Sequence, residues 1–172
     1  IVTREDWDAI LPQFIGEIAQ VPPMYSALKK DGKPLYEYAR AGIEIERAAR
    51  QVQILNMTTV TFEYPFVTLS VTCSKGTYIR TLAEDIGTAL GVGAHLRGLT
   101  RTAVGDLQLK DAMTLDAVEA LSDMEREQVL LPLDALMQNT PSVNLDESAA
   151  ARFVQGQRLK MMHADAELVR VY

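Results

Sequence analysis

The stretch from residue 66 to residue 91 constrains the fold more than any other; it reads FVTLSVTC and then SKGTYIRTLAEDIGTALG. Every second residue from Val67 to Cys73 is apolar, which predicts a strand with one buried face. After the glycine turn, apolar residues recur at helical spacing up to a stop signal at Gly91, which predicts an amphipathic helix. The preceding run, QVQILNMTTVTFEYP, is rich in β-branched residues and predicts a second strand. The chain therefore combines a half-buried sheet with a helix that directly follows it.

Shorter patterns complete the secondary-structure prediction. Thr3 stands three residues before Asp6 in TREDWDAILPQF, a capping-box spacing that predicts a short amphipathic helix. A long basic loop with a DG turn, then a short helix between Pro34 and Gly42, is predicted by VPPMYSALKKDGKPLYEYARAG. A return to strand is predicted by LRGLTRTAVGDLQL, acidic helical turns by MTLDAVEALSD and EREQVLLPLDALM, and a linker by TPSVNLDES. The tail predicts a helix, a glycine turn and two strand-like pieces.

Composition excludes several classes of protein. With 172 residues, of which 48% are hydrophobic, the chain can bury one sizeable core. No apolar run approaches the roughly 20 residues of a membrane span, and no signal-peptide pattern is present, so we expect a cytoplasmic protein. The single cysteine, Cys73, excludes an internal disulfide, and His95 and His163 lie too far apart for a metal-ligand motif. Because residue 1 is isoleucine, we expect that sequence upstream is missing.

The net charge of −6 argues at first against a nucleic-acid partner, but the charge is unevenly distributed. Residues 21–50 carry six Lys or Arg against four Asp or Glu, and residues 75–110 carry five against three. Residues 111–150 carry one basic residue against nine acidic ones. The acidity is concentrated in one block, so a basic face elsewhere remains compatible with binding RNA. The alternative is a solvated acidic helical region beside an ordinary remainder.

Two cations lie near the start of the helix predicted from Thr77. A cation at this end of a helix is disfavoured by ~0.3–1 kcal/mol, yet Lys75 and Arg80 occupy it. Backbone N–H groups of the first turn point outward there, which predicts an anion site. Arg80 either pairs locally with Glu84 or faces a carboxylate or phosphate from another part of the molecule or a ligand. Tyr78 offers a ring for base stacking, with ordinary packing as the alternative.

Basic and aromatic side chains alternate within residues 21–50, a combination typical of folded-RNA binding. The residues concerned are Tyr25, Lys29, Lys30, Lys33, Tyr36, Tyr38 and Arg40. The alternative is a solvated loop before an amphipathic helix that buries Leu35, Tyr38 and Ala39. Farther along, His95, Arg97 and Arg101 surround two leucines in HLRGLTR. That alternation most simply predicts a half-buried edge strand, and a binding site is the alternative.

Three stretches carry a family resemblance: PPMYSALKKDGKPLYEYARAG, CSKGTYIRTLAEDIG and GAHLRGLTRTAVG. In this order and spacing they closely resemble the bacterial tRNA pseudouridine-55 synthases of the TruB type, which are related to dyskerin. The resemblance implies an α+β fold. Residues 1–137 would form part of a mixed, largely antiparallel sheet with flanking helices, with a thumb-like RNA-binding insertion at 21–50. Residues 138–172 would form a linker and a truncated PUA-like β unit.

The resemblance also implies an activity. Enzymes of this family isomerise a uridine in the T-loop of tRNA: the base is flipped out, its C–N glycosidic bond is cut, and it is rejoined through carbon. The implied partner is the T-stem-loop of tRNA, and we expect a cytoplasmic monomer that needs no metal, cofactor or membrane. The alternative is a non-catalytic tRNA-binding or tRNA-remodelling module.

Site residues follow from the same resemblance. Arg80 matches the arginine that pairs with the catalytic aspartate, Tyr78 an active-site tyrosine near the uracil, and Leu99 an apolar residue of the uracil pocket. The aspartate itself belongs to a GxLDPxATG-like motif that does not occur in these 172 residues, so we expect this chain alone to be inactive. The expected RNA-binding residues are Tyr25, Lys29, Lys30, Lys33, Lys75, His95, Arg97 and Arg101.

Overall fold

The computed structural model describes residues 1–160, 166 and 168–172. The chain divides into two compact units, Ile1–Leu99 and Thr100–Tyr172. The expected domain boundary after residue 137 stays a prediction. None of the helices within the described ranges is long and apolar enough to cross a membrane.

The first unit is built on a three-stranded antiparallel sheet. Its strands and helices are α1 Arg4–Ile10, β1 Gly16–Gln20, β2 Lys29–Lys30, β3 Lys33–Pro34, α2 Leu35–Arg40, β4 Arg50–Glu63, β5 Phe66–Cys73 and α3 Ile79–Ala89. The sheet order is β1-β4-β5, with Ile54 opposite both Gly16 and Cys73. Strands β2 and β3 form a separate hairpin whose turn is Asp31–Gly32, with φ of 51° and 78°. Positive φ at both turn positions suits this DG pair and matches the twist of a two-residue hairpin.

The core of this unit lies where the sheet meets α1 and α3. Its buried members are Val2, Trp7, Leu11, Ile54, Met57, Leu82 and Ile86. The alternating face of β5, from Val67 to Cys73, is half-buried against this cluster, as its sequence predicts. The predicted capping box is also confirmed, since Thr3 and Asp6 exchange hydrogen bonds at the start of α1. The indole N–H of Trp7 donates to the hydroxyl of Thr59 at 2.9 Å, which satisfies the polar group of a buried ring.

Two sequence predictions for this region need correction. The helix expected from Thr77 begins at Ile79, because Thr77 is occupied in a turn in which its hydroxyl donates to the carbonyl of Ser74 at 2.9 Å. The strand expected over residues 96–109 is largely irregular, apart from a short hairpin at its end. A strand pattern forms a strand only where a second edge accepts its hydrogen bonds, and residues 93–102 pair with no described strand.

The second unit contains short elements joined by turns. They are β6 Ala103–Val104, β7 Leu107–Gln108, α4 Leu115–Glu119, α5 Asp123–Gln128, β8 Ser142–Val143, α6 Glu147–Val154 and β9 Arg170–Val171. Side chains of Thr114, Ser122 and Asp146 cap the three helices. The acidic helical turns and the tail helix are confirmed. The predicted linker contains β8, which pairs in parallel with β9. The first strand-like piece of the tail, with His163, falls largely outside the described residues.

Arg170 joins the last strand of the second unit to the segment before β8. Its side chain is 14% exposed, and its guanidinium donates to the Asp134 carboxylate at 2.7 Å and to the carbonyl of Thr140 at 3.0 Å. The hydroxyl of Tyr172 also donates to Asp134. The hydrogen bonds from Tyr172 and Arg170 hold the pKa of Asp134 below its ordinary value of 3.8.

Candidate active site and RNA-binding surface

The start of α3 is held by a glutamine that the sequence patterns did not single out. Gln20, the last residue of β1, is 1% exposed. Its side-chain oxygen accepts the backbone N–H of Tyr78 at 3.0 Å, and its side-chain nitrogen donates to the carbonyl of Tyr78 at 3.3 Å. Tyr78 is the N-cap residue of α3, and no side chain caps this helix in the usual way. A lone glutamine at a strand end has no periodic signal, which is why sequence reasoning missed it.

Arg80 lies in the first turn of α3 and is exposed. One of its guanidinium N–H groups donates to the main-chain carbonyl of Tyr25 at 2.6 Å, a short charge-assisted hydrogen bond. No ion pair among the described residues joins Arg80 to Glu84, so the local pair weighed from the sequence is not formed. Arg80 instead ties the start of α3 to the beginning of residues 21–50, the segment expected to form the thumb-like insertion.

Two buried hydroxyls stand beside this contact in the sequence. Ser26, which follows Tyr25, is 5% exposed, and Thr81, which follows Arg80, is 7% exposed. Neither side-chain oxygen has a hydrogen-bond partner within the described part of the chain. A buried hydroxyl without a partner costs about 1–3 kcal/mol, so such groups mark places where polar capacity is unused. Both segments that meet at Arg80 therefore carry unused polar groups.

Lys75 lies in the turn before α3 rather than at the helix start. It is exposed beside Gly76, whose φ of 84° closes the turn. The hydroxyl of Ser74 accepts the backbone N–H of Gln53 at 2.9 Å, which anchors the turn to β4. The expectation that Lys75 sits at the start of a helix running from Thr77 is thereby corrected, because α3 begins at Ile79, four positions after Lys75. Its ammonium group nevertheless faces solvent near the end of β5.

The thumb-like insertion presents lysines and tyrosines on the β2–β3 hairpin and on α2. Lys29 and Lys30 are exposed, whereas the ammonium of Lys33 lies 4.8 Å from the centre of the Tyr38 ring. The hydroxyl of Tyr38 donates weakly to the carbonyl of Lys30 at 3.4 Å. Tyr25 is 58% exposed at the start of the insertion. Lys29, Lys30 and Lys33 thus share one small hairpin-and-helix unit with Tyr38, over whose ring the Lys33 ammonium already lies. Tyr25 lies in the loop that precedes this unit.

The segment after α3 holds the remaining predicted residues of the first unit. His95 and Arg97 are exposed, and the Arg97 guanidinium lies 4.7 Å from the centre of the Phe66 ring at the tip of the β4–β5 hairpin. Leu99 is 64% exposed. Its role in lining an apolar pocket stays a prediction, as does RNA binding by His95 and Arg97. Arg101 belongs to the second compact unit and is exposed.

Gly87 sets the position of this segment. Both Val92 and Gly93 donate their backbone N–H groups to the carbonyl of Gly87, at 3.1 and 2.9 Å. A β-carbon at Gly87 would stand 2.3 Å from the backbone nitrogen of Ala94. The chain therefore passes so close to α3 that only glycine fits at this position.

Other acidic and cavity-forming residues do not extend this site. Burial raises the pKa of Asp85 on α3 above 3.8, and the neighbouring charge of Glu84 adds to the effect. Asp85 lacks the motif that surrounds the family's catalytic aspartate, so we assign it no catalytic role.

A depression of about 430 Å³ lies between α1 and the C-terminal end of α3, at the opposite end of that helix from Tyr78. Within the described ranges, no group of three or more His, Cys, Asp or Glu residues is arranged to hold a metal ion.

Family models match almost the entire chain. The TruB family pseudouridylate synthase N-terminal domain matches residues 1–79, and the tRNA pseudouridylate synthase B C-terminal domain matches residues 80–138. The C-terminal model of pseudouridine synthase II TruB matches residues 141–172. These three models follow one another in order along the sequence.

Curated relatives agree with the family models. A tRNA pseudouridine synthase B from Cupriavidus metallidurans is 62% identical over 154 residues, which are 88% of this chain and 49% of that protein. One from Burkholderia lata is 57% identical over 171 residues, 96% of this chain and 53% of that protein. The chain thus spans about half the length of the curated relatives it matches.

Solved structures share the fold. The crystal structure of a Cbf5-Nop10-Gar1 complex matches with a TM-score of 0.70 and 26% identity, over 91% of this chain and 45% of that one. An H/ACA RNP bound to a substrate RNA that contains 2'-deoxyuridine matches with a TM-score of 0.67 and 23% identity, over 92% of this chain and 44% of that one. The α+β fold class expected from the sequence is confirmed by these neighbours and by the antiparallel sheet with its helices. The chain belongs to the TruB family of pseudouridine synthases.

Proposed function

We propose that these 172 residues act within an enzyme of the relatives' full length, here called the full-length enzyme, that isomerises a T-loop uridine of tRNA to pseudouridine. In the reaction the flipped-out base is detached by cleavage of its C–N glycosidic bond and rejoined to the sugar through carbon. The observation that carries this proposal is the contact between Arg80 and Tyr25. It joins the helix start that bears Tyr78 to the insertion expected to grip the RNA.

Arg80 is suited to hold a catalytic carboxylate supplied by sequence outside these residues. Only one of its N–H groups is engaged within the described part of the chain, so others of the guanidinium fork remain for a second acceptor. A carboxylate beside a guanidinium keeps its charge, because the opposite charge lowers the carboxylate pKa. An ionised carboxylate is what a nucleophile or general base requires. Tyr78, two residues before Arg80, would place its ring against the flipped uracil.

The thumb-like insertion is suited to grip the T-stem-loop. Lys29 and Lys30 are exposed side by side on β2, where they would contact phosphates, and Tyr25 is exposed for stacking on a base. The acidic residues of α4 and α5 belong to the other compact unit. A basic surface in the first unit is therefore compatible with the negative net charge. The partner proposed for this surface is the T-loop arm of tRNA, bound by a cytoplasmic monomer.

A tritium-release assay tests the activity. The full-length enzyme is mixed with a T-loop stem-loop RNA whose uridine carries tritium at the carbon that forms the new bond, with excess chelator present. We expect release of tritium at the same rate with and without chelator, because the sequence offers no metal-ligand motif. Loss of turnover under chelation would contradict the metal-free reaction. No release under any condition would contradict the proposed function.

A non-catalytic tRNA-binding module is the second candidate, and the exposed lysines of β2 favour it for this chain alone. The family's GxLDPxATG-like motif does not occur in these residues, so the chain by itself is expected to bind tRNA weakly and convert none. Filter binding and tritium release, measured on the 172-residue chain, separate the two candidates. Conversion of uridine by the 172-residue chain alone would contradict the expectation that it only binds tRNA.

A further inference from the structure

Gln20 forms an unusual contact for a side chain at a strand end. Its amide group lies along the main chain of Tyr78 and makes both hydrogen bonds that a paired strand residue would make, one as acceptor and one as donor. The two residues are 58 positions apart in the sequence. The side chain thus extends the sheet edge of β1 to the residue that precedes α3.

Because Gln20 is buried, its side-chain amide needs hydrogen-bond partners within the protein. With 1% of its surface exposed, Gln20 is among the most buried residues of the described chain. An unpaired amide at such a position would be costly, so the pairing with Tyr78 fixes the amide and the Tyr78 main chain together. Gln20 itself is held in the sheet because its main chain is paired with Arg50 of β4. A rigid sheet therefore sets the position at which α3 begins.

A second hydrogen bond joins the segments that contain Gln20 and Tyr78. Tyr25, five residues after Gln20, accepts from Arg80, which stands two residues after Tyr78. The segment at 20–25 and the segment at 78–80 are therefore joined at both ends, once through Gln20 and once through Arg80. Gln20 is the buried member of this pair of contacts, and Arg80 is the exposed one.

We propose that Gln20 is a positioning residue whose buried amide fixes the start of α3, and with it the side chains of Tyr78 and Arg80. This inference rests on the proposed function, in which these two side chains serve the flipped uridine and the catalytic carboxylate. Gln20 contacts neither of those groups in the proposal and acts through the main chain of Tyr78. Loss of its amide would displace the reactive geometry and leave the RNA grip of the lysines on β2 intact.

The test compares Gln20→Met with Gln51→Met in the full-length enzyme. Methionine fills the space of glutamine without its hydrogen bonds, and Gln51, opposite Ala19 on β4, is exposed and serves as the matched control. We expect amide hydrogen exchange at Tyr78 to become about tenfold faster in Gln20→Met, which is the order of effect of removing one hydrogen bond. The single-turnover rate on the tritiated stem-loop RNA should fall on the order of 100-fold, because misplacement of about 1 Å has effects of that size. The dissociation constant for the RNA should stay within about twofold.

Several outcomes would overturn the inference. Unchanged exchange at Tyr78 would mean that Gln20 does not hold the helix start. Faster exchange with a normal single-turnover rate would make the contact structural only, and so would an RNA affinity that weakens in parallel with the rate. Should Gln20→Met fail to fold, Gln20→Asn takes its place, because it keeps an amide but is one methylene too short to make both hydrogen bonds to Tyr78. We then expect faster exchange at Tyr78 and a slower single-turnover rate in Gln20→Asn, and unchanged values of both would overturn the inference. If the wild-type enzyme converts no uridine, the proposed function fails separately, and the exchange measurement alone still decides whether Gln20 fixes α3.

Discussion

Replacing Gly87 with alanine tests how closely the chain after α3 must approach the helix. The added β-carbon would lie 2.3 Å from the backbone nitrogen of Ala94 and 2.4 Å from the carbonyl carbon of Gly93. Ordinary contact begins at 3.4 Å, so this backbone would have to withdraw by more than 1 Å. Backbone atoms cannot rotate away as a flexible side chain can. Residues 93–99 would therefore move as a segment.

The magnitude follows from two opposing effects. Forcing extra volume into a packed site costs ~1–3 kcal/mol, and a clash with backbone belongs at the upper end of that range. Alanine is favoured over glycine inside a helix by about 1 kcal/mol, which offsets part of the cost. We therefore expect Gly87→Ala to lower the free energy of unfolding by about 2 kcal/mol. Because the displaced segment carries Leu99, pseudouridine formation in the full-length enzyme should slow as well.

The assay is urea unfolding of the chain, followed by the fluorescence of its single tryptophan. Trp7 is 7% exposed in the core of the first unit, so its emission reports on the packing of that unit. Gly98→Ala is the matched control, because a β-carbon there meets nothing within 4 Å and no positive φ is involved. The control should be neutral or more stable by about 0.4–1 kcal/mol. Equal stability of the two variants would refute the close approach at Gly87.

The remaining predictions concern charge. Replacing the three thumb lysines, Lys29, Lys30 and Lys33, with alanine should flatten the salt dependence of tRNA binding by about one unit of slope for each phosphate that a lysine no longer neutralises; an unchanged slope in filter binding would contradict the RNA grip. Arg80→Lys should reduce the single-turnover rate far more than RNA affinity, because lysine lacks the planar fork; Glu84→Gln is the control, and an equal reduction in that variant would contradict the role of Arg80. Because the pKa of Asp134 is lowered in the fold, its carboxylate stabilises the second unit above about pH 3.8, and this stability should disappear as the pH falls through the lowered pKa. Asp134→Asn should remove that part of the acid sensitivity, as measured by circular dichroism between pH 2 and 6, and an unchanged acid transition would contradict it.

Local patterns were sufficient for the elements that form the core. The alternation in β5, the apolar stripe of α3 and the capping box of α1 depend on residues a few positions apart, and each is confirmed. Where a prediction depended on a distant partner, it was wrong or missing. The strand expected over residues 96–109 had the correct alternation, but alternation does not supply a neighbouring strand edge. The linker pattern concealed β8 because, among the described residues, β8 pairs only with Arg170 and Val171, which lie far along the sequence.

The candidate site divides in the same way. The exposed lysines and Tyr25 follow from residue types in one loop. The position of Tyr78 and Arg80 at a helix start indicated base stacking and an anionic partner, and the family resemblance added their specific roles. The contact of Arg80 with the Tyr25 carbonyl crosses 55 positions of sequence and involves a backbone acceptor, which has no residue-type signal. Gln20 could have been suspected only as a polar residue that ends a strand beside an apolar sheet. Its partner is also a main-chain group, so no pattern of side chains points to it.

The contact between Arg80 and the Tyr25 carbonyl has a consequence for how this segment can vary between species. A main-chain acceptor exists whatever side chain stands at that position, so substitutions of Tyr25 leave the link to Arg80 chemically available. Insertion or deletion is different, because residues 21–24 must span the distance between the two anchored ends at Gln20 and Tyr25. Two of these four residues are prolines, which restrict the path of the chain. We therefore expect the number of residues between Gln20 and Tyr25 to stay constant among functional enzymes, whereas the hydrogen bond itself does not restrict the side chain at position 25. Functional enzymes that gain or lose a residue within 21–24 would refute this expectation.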